Sequence, residues 1–124
     1  MFNGKAVVLV VEDSTVIRMG AVDLVVNAGY EALEARDADE AIRVLESRAD
    51  IDLVFTDIQM PGTMDGLKLA HYIRDRWPPV RLIVASGKAI LEESSLPEGS
   101  SFFTKPYSDH AIADAMARML SSRQ

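Results

Sequence analysis

Cysteine is absent from this sequence of 124 residues. Disulfide bonds, thiolate nucleophiles and cysteine-bound zinc or iron-sulfur sites are therefore excluded, and we expect a cytoplasmic location. Long apolar runs are also missing, because the longest covers only residues 6–11. A transmembrane helix needs about 20 apolar residues, and the first residues contain no signal-peptide core. We therefore expect neither membrane insertion nor export.

Basic residues are in the minority, with 13 Lys and Arg against 19 Asp and Glu and a formal net charge of −6. Neither nucleic acid nor an anionic membrane is expected as the main partner of such a chain. What the sequence does have is a hydrophobic fraction of 48%. At this length, that fraction predicts one domain over residues 1–124 with a substantial core and no room for a second.

Five apolar segments are candidate strands. The first is an unbroken run rich in valine, as in a parallel strand that is buried on both faces. The others are shorter or less regular, and their spacing leaves room for a helix between most of them. The five candidates are residues 7–11, 30–35, 51–56, 80–85 and 101–104.

Segments with helical periodicity lie between these strands. Ser14 and Ser108 are predicted N-caps, and Asp37 with Glu40 fits a capping box. The third helical segment is predicted to end before Trp77, which precedes two prolines. The alternation predicts an α/β fold, a doubly wound parallel sheet with right-handed crossovers. Only the connection at 87–100, rich in Gly, Ser and Pro, predicts a short or irregular fourth helix.

Polar residues follow four of the five strands where each strand ends. Singly, they have ordinary explanations as helix caps, turn residues or a solvated lysine. Jointly, they favour a functional site, because the carboxyl ends of the strands in a doubly wound sheet meet at the edge where ligands bind. The residues are Glu12, Asp13, Asp57, Ser86 and Lys105.

Three clustered carboxylates repel one another unless protons or a cation intervene. Oxygen ligands of this kind suit Mg²⁺, which binds one or two carboxylates together with phosphate oxygens. One carboxylate can then act as a nucleophile on phosphorus. The ammonium of Lys105 and the hydroxyl of Ser86 would stabilise the phosphoryl oxygens. The pattern thus indicates phosphoryl transfer to a carboxylate.

Five motifs, spread over nearly the whole chain, resemble the response-regulator receiver domain of two-component signalling, here of single-domain type. The resemblance implies a flavodoxin-like (βα)5 fold with strand order 2-1-3-4-5. The motifs are Val-Leu-Val-Val-Glu-Asp-Ser at 8–14, Asp-Leu-Val-Phe-Thr-Asp-Ile-Gln-Met-Pro-Gly at 52–62, Met-Asp-Gly at 64–66, Ala-Ser-Gly at 85–87 and Phe-Phe-Thr-Lys-Pro-Tyr at 102–107.

The family's functional positions carry over residue by residue. The resemblance implies that Asp57 accepts a phosphoryl group from a phosphohistidine of a histidine kinase in a Mg²⁺-dependent reaction, assisted by Lys105 and Ser86. Such a domain catalyses only its own phosphorylation and dephosphorylation and is not a conventional enzyme. The resemblance also implies a cis bond between Lys105 and Pro106.

Magnesium ligation, by the same resemblance, uses Asp13, Asp57 and the backbone carbonyl of Gln59, while Glu12 acts largely through water. Ser86 and the aromatic Phe102 are the implied switch residues. One departure from the family pattern is Thr63, an extra residue in the loop after Asp57. Another is the short connection between Ser86 and Lys105, which belongs to the region of the family's usual output face, formed by the fourth helix, fifth strand and fifth helix.

Three other function classes fit parts of the pattern. An aspartyl phosphatase similar to the haloacid dehalogenases would have a second Asp where Gln59 stands, and would add a cap domain. A flavodoxin-like nucleotide binder would have a Ser/Thr/Gly-rich loop instead of Glu12 and Asp13. A receiver-like domain that only docks to partners would not need the full set of reactive residues.

The expected partners are a histidine kinase or phosphotransfer protein and an output protein that the sequence does not identify. We expect a monomer or a weak, phosphorylation-dependent dimer. The chain is either a free-standing receiver or a domain of a longer protein such as a hybrid kinase, and Met1 favours the first interpretation.

Overall fold

The computed structural model describes residues 5–60, 62, 64–87 and 96–121. Strands and helices alternate through most of this part of the chain. Their bounds are β1 (Val7–Val11), α1 (Thr15–Asn27), β2 (Glu31–Ala35), α2 (Ala38–Ser47), β3 (Leu53–Asp57), α3 (Gly66–Arg76), β4 (Arg81–Ser86), β5 (Ser101–Thr104) and α4 (Asp109–Leu120). Among the described residues, no helix combines the length and apolar character needed to cross a bilayer.

All five strands form one parallel sheet in the order β2-β1-β3-β4-β5, which confirms the predicted fold class. The register aligns the carboxyl ends of neighbouring strands. Val11 in β1 lies opposite Thr56 in β3, and Asp57 lies opposite Ala85 in β4. Residues that follow these strands therefore meet at one edge, as the sequence predicts.

The sheet separates two hydrophobic cores. Alternate residues of β1 point to opposite faces, so that Leu9 belongs to the core under α2 and α3, and Val8 to the core under α1 and α4. Both side chains are fully buried. A β-branched run buried on both faces is what a central parallel strand requires, and it fixes the position of the residues that follow β1.

Side-chain caps begin the helices at the positions that the sequence indicates. Ser14 accepts a hydrogen bond from the Ile17 amide at 3.3 Å, and Ser108 likewise caps α4. Asp37 accepts from the Glu40 amide at 2.9 Å, but the Glu40 carboxylate accepts from the Arg36 amide instead of the Asp37 amide. The predicted capping box is therefore present with its return bond shifted by one residue.

Removal of the Asp37 cap should destabilise the domain. Asp37→Ala leaves the Glu40 amide without its acceptor, and we expect a loss of about 1 kcal/mol in the free energy of unfolding. Urea unfolding followed by circular dichroism measures this loss. Asp37→Asn keeps a capping oxygen and is the matched control, so an equal loss in both variants would contradict the assignment of the cap.

Strand β2 forms one edge of the sheet and carries two exposed glutamates. Each is paired with an arginine from another element. Arg18 in α1 lies 3.0 Å from Glu34, and Arg48 lies 3.2 Å from Glu31. This edge of the sheet is therefore charged.

Several boundaries differ from the predicted ones by one to three residues. β3 begins at Leu53 and not at Ile51. Asp52 precedes the strand, and its carboxylate accepts a hydrogen bond from the Val7 amide while its own amide donates to the Val7 carbonyl. A side chain thus takes the place of one backbone acceptor at this point. Helix α3 begins at Gly66 and ends at Arg76, directly before Trp77, as the sequence predicts.

Residues 88–95, where the short fourth helix is predicted, lie outside the described residues. The described end of that connection, residues 96–100, forms turns, with the Ser100 amide bonded to the Pro97 carbonyl at 3.2 Å. Thr63 also lies outside the described residues. Its neighbour Gly62 has a φ of 111°, a conformation that glycine adopts readily.

Candidate functional site

The carboxylates of Glu12, Asp13 and Asp57 form a cluster at the carboxyl ends of β1 and β3. Each offers an oxygen, and these oxygens lie within 4.8 Å of one another. Glu12 and Asp57 are buried, with 5% and 7% of their surface exposed, while Asp13 is exposed. The three acidic residues thus come together as the sequence predicts, and their cluster is open on the side of Asp13.

Lys105 supplies a positive charge to this cluster. Its Nζ lies 3.2 Å from Asp57 Oδ1 and 3.4 Å from Glu12 Oε1. Burial alone would lower the pKa of Lys105, but the two carboxylates outweigh this effect and raise the pKa above its usual value. The side chain is therefore a firmly charged ammonium between two acids. Its backbone amide donates to the Ser86 carbonyl at 2.8 Å, and the bond to Pro106 is cis, as the resemblance implies.

Glu12 is held by the start of α1. Its Oε2 accepts a hydrogen bond from the Ser14 amide at 3.0 Å, and its carbonyl accepts one from Arg18 Nη1 at 2.8 Å. Burial raises the pKa of Glu12, and the charge of Asp57 adds to the rise, while the Ser14 amide and Lys105 oppose it. No motif in the sequence assigns this role to Arg18, although its position one turn into the helix after an acidic loop is a signal for it.

Asp57 ends β3 with one carboxylate oxygen in an unusual position. Oδ1 is buried and accepts no hydrogen bond from any residue that the structure describes, and Lys105 approaches it as an ion pair outside hydrogen-bond geometry. Buried polar atoms are ordinarily satisfied. An oxygen left open in this way fits a position that is completed by a metal ion or another group.

The donor set suits Mg²⁺ in chemistry as well as in placement. Clustered carboxylate oxygens, one of them exposed and one incompletely satisfied, match a hard cation that retains several waters. Glu12, Asp13 and Asp57 are therefore the residues that could hold such an ion.

Gly66, the first residue of α3, packs directly against Asp57. A Cβ at this glycine would overlap the Asp57 carbonyl oxygen and lie 2.7 Å from its carbonyl carbon. The Gly66 amide also donates to the Ile58 carbonyl at 2.9 Å. The start of α3 and the end of β3 are therefore in close contact, and no residue larger than glycine fits at position 66. From the sequence this glycine is known only as part of the Met-Asp-Gly motif, with no structural role.

Ser86 ends β4 and is almost completely buried, with 1% exposure. Its hydroxyl donates to Gln59 Oε1 at 2.9 Å, and the Gly87 amide donates to the same oxygen at 3.3 Å. The family resemblance implies only a backbone role for Gln59, so this side-chain contact is new. In the sheet Asp57 pairs with Ala85, which sets the segments that follow β3 and β4 side by side.

Phe102, the predicted aromatic switch residue, lies in β5 opposite Val84 and is half-buried. It packs against the core under α2 and α3 and is not part of the carboxylate cluster. Tyr107, which sequence analysis does not single out, packs on Phe55 at 5.6 Å. It also lines a cavity of about 10 Å³ beside Glu12 and Lys105, the space of one water molecule.

This arrangement is suited to the reaction of a carboxylate with an electrophilic phosphorus atom. Asp57 offers the nucleophilic oxygen, Lys105 a positive charge beside it, and Ser86 a hydroxyl on the neighbouring strand. Preorganised charges and donors of this kind stabilise the transition state of phosphoryl transfer.

Comparison with known proteins points in the same direction. A family profile described as "Response regulator receiver domain" matches residues 8–117. Sensor kinase CckA of Brucella abortus is 34% identical over 98% of this chain, and response regulator protein FleR of Pseudomonas aeruginosa is 35% identical over 91%. The chain spans only 13% of the first and 24% of the second.

Solved structures show the same fold. A response regulator receiver protein from Sinorhizobium medicae superimposes with a TM-score of 0.88 at 26% identity, covering 97% of this chain and 98% of the other. The receiver domain of hybrid histidine kinase CckA superimposes with a TM-score of 0.79 at 31% identity, covering 93% and 99%.

Proposed function

Because this chain belongs to the response regulator receiver family, we propose that it accepts a phosphoryl group on Asp57 and thereby changes which protein it binds. The observation that carries the proposal is the buried Asp57 Oδ1, which lacks a hydrogen bond within the described residues and faces Lys105 at 3.2 Å. The donor is a phosphohistidine of a histidine kinase or phosphotransfer protein, and the output protein is unidentified.

In the proposed reaction an oxygen of Asp57 attacks the phosphorus atom. The P–O bond forms, the P–N bond to the imidazole breaks, and the electron pair of that bond stays on the imidazole nitrogen. Lys105, already 3.2 Å from Asp57, balances the charge of the incoming phosphoryl oxygens. Water later cleaves the acyl phosphate, so the domain catalyses only its own phosphorylation and dephosphorylation.

Magnesium is the proposed cofactor, held by Asp13, Asp57 and the Gln59 carbonyl, with Glu12 acting through water. When bound, the ion neutralises charge on the carboxylates and on the phosphoryl oxygens. Lys105 performs part of this neutralisation in the protein alone, since it bridges Glu12 and Asp57.

Incubation with a small phosphodonor and Mg²⁺, followed by intact-mass measurement, tests the proposed function. One labile phosphate per chain is the expected result. Repeated turnover of the donor without accumulation of labelled protein would indicate a phosphatase instead. Failure to label the protein under any Mg²⁺ concentration would reject the phosphoacceptor function.

Metal binding and charge neutralisation should be separable by mutation. Asp13→Ala removes a carboxylate from the cluster, and we expect Mg²⁺ affinity to fall at least about tenfold. Lys105→Ala should retain Mg²⁺ binding, because an ammonium is not a ligand, but should impair phosphorylation-dependent partner binding. Calorimetric titration of Mg²⁺ measures the first effect.

Asp75→Ala is the matched control for this comparison, because Asp75 is an exposed acid of α3 outside the cluster. It should bind Mg²⁺ as the parent does. Equal affinity in Asp13→Ala and Asp75→Ala would contradict the proposed metal site.

A further inference from the structure

The Gln59 side chain connects the loop after β3 to the end of β4. Its Oε1 accepts hydrogen bonds from the Ser86 hydroxyl at 2.9 Å and from the Gly87 amide at 3.3 Å. Gln59 itself is exposed, whereas Ser86 is buried. The buried hydroxyl at the end of β4 is therefore held by the side chain of an exposed residue.

A serine hydroxyl has a single proton and can donate one hydrogen bond at a time. Ser86 gives that proton to Gln59 in this structure. A phosphoryl group on Asp57 would offer strong, charged acceptor oxygens, and a charge-assisted hydrogen bond is roughly twice as strong as a neutral one. Gln59 and the phosphoryl group would thus compete for the same proton.

We propose that Gln59 is a positioning residue that holds the Ser86 hydroxyl in the unphosphorylated protein and must release it when Asp57 is modified. The strength of the hydrogen bond between Gln59 and Ser86 then sets how strongly modification of Asp57 shifts the domain away from its resting state. This inference rests on the proposed phosphoacceptor function and adds to it a side chain that stabilises the resting state.

Gln59→Met is the test substitution. Methionine has a similar length and flexibility but offers no oxygen to Ser86 or Gly87. The substitution leaves the backbone carbonyl of residue 59, the proposed magnesium ligand, in place. A change in switching can therefore be assigned to the side chain.

Binding of beryllium fluoride in the presence of Mg²⁺ provides the readout, since a beryllium fluoride group on a carboxylate has the shape and charge of a phosphoryl group. Loss of one neutral hydrogen bond from the resting state should tighten binding about two- to tenfold. The Gly87 amide, followed by nuclear magnetic resonance in the unmodified protein, should exchange its proton faster in Gln59→Met.

A double-mutant cycle with Ser86→Ala separates this role from a general structural effect. In the Ser86→Ala background there is no hydroxyl to hold, so Gln59→Met should leave the affinity for beryllium fluoride unchanged. Tightening of equal size in both backgrounds would overturn the inference, and so would unchanged affinity in the single variant.

Failure of the inference is distinguishable from failure of the proposed function. If the parent protein neither binds beryllium fluoride nor takes up phosphate from a small donor, both are rejected. If the parent does both and Gln59→Met binds no more tightly, only the role of Gln59 is rejected.

Discussion

Asp57→Asn should abolish phosphoryl acceptance and leave the free energy of unfolding equal to or above that of the parent. The first effect follows because an amide is a far weaker nucleophile than a carboxylate toward phosphorus. The second follows from charge: Asp57 is buried within 4.8 Å of two other carboxylates, and its removal relieves their repulsion.

Lys105 is the reason to expect a small change in stability and not a loss. The substitution removes its ion pair with Asp57 at 3.2 Å, but the ammonium keeps Glu12 at 3.4 Å. No buried charge is left without a partner, which is the usual cause of severe destabilisation. The pKa of Glu12, which burial raises and Asp57 raises further, should fall toward its usual value in the variant.

Intact-mass measurement after incubation with a phosphodonor, together with urea unfolding, checks both parts of this prediction. Asp75→Asn, a substitution of an exposed acid on α3, is the control and should be phosphorylated like the parent. Undiminished labelling of Asp57→Asn would show that the phosphoacceptor is another residue.

Gly66→Ala should have the largest structural effect of any single methyl addition that the described glycines allow. The new Cβ would overlap the Asp57 carbonyl oxygen and lie 2.8 Å from the Ile58 Cα, so backbone atoms would have to move. A backbone cannot rotate away as a side chain can. We expect a loss of about 3 kcal/mol in the free energy of unfolding, at the upper end of typical overpacking.

The same displacement should slow phosphorylation. A shift of the Asp57 backbone moves its carboxylate relative to Lys105, and misplacement by about 1 Å can cost about a hundredfold in rate. Gly20→Ala is the matched control, since Gly20 lies on the exposed side of α1 with no atom within 4 Å of an added Cβ. It should stabilise the helix by about 0.5–1 kcal/mol.

Labelling rates should be compared at low temperature, where both glycine variants are folded. Equal rates and equal stabilities for Gly66→Ala and Gly20→Ala would contradict the close contact between α3 and β3. A destabilised but normally phosphorylated Gly66→Ala would show that the contact supports the fold without positioning Asp57.

Much of the fold could be predicted from local patterns. The unbroken apolar run before Glu12 predicts a strand buried on both faces. In the structure β1 lies between β2 and β3 in the parallel sheet, and all of its residues are buried. The N-caps at Ser14 and Ser108 were predictable, because the hydrogen bond between a capping side-chain oxygen and the amide three residues later depends only on the local sequence.

The convergence of Glu12, Asp13, Asp57 and Lys105 was also predictable, because parallel strands end at a common edge. Contacts that depend on distances between loops could not be obtained in this way. The reach of Gln59 to Ser86, and the absence of space at Gly66, are set by the separation of segments that are distant in sequence. Periodicity carries no information on such separations.

The charged edge formed by β2 has a consequence for the behaviour of the protein at high concentration. An edge strand exposes unpaired backbone groups that can template β-aggregation with a second chain. Strand addition at β2 would bring a neighbour against Glu31 and Glu34 and disturb their pairs with Arg48 and Arg18. The resulting desolvation of four charged groups opposes amyloid-like growth from this side of the sheet.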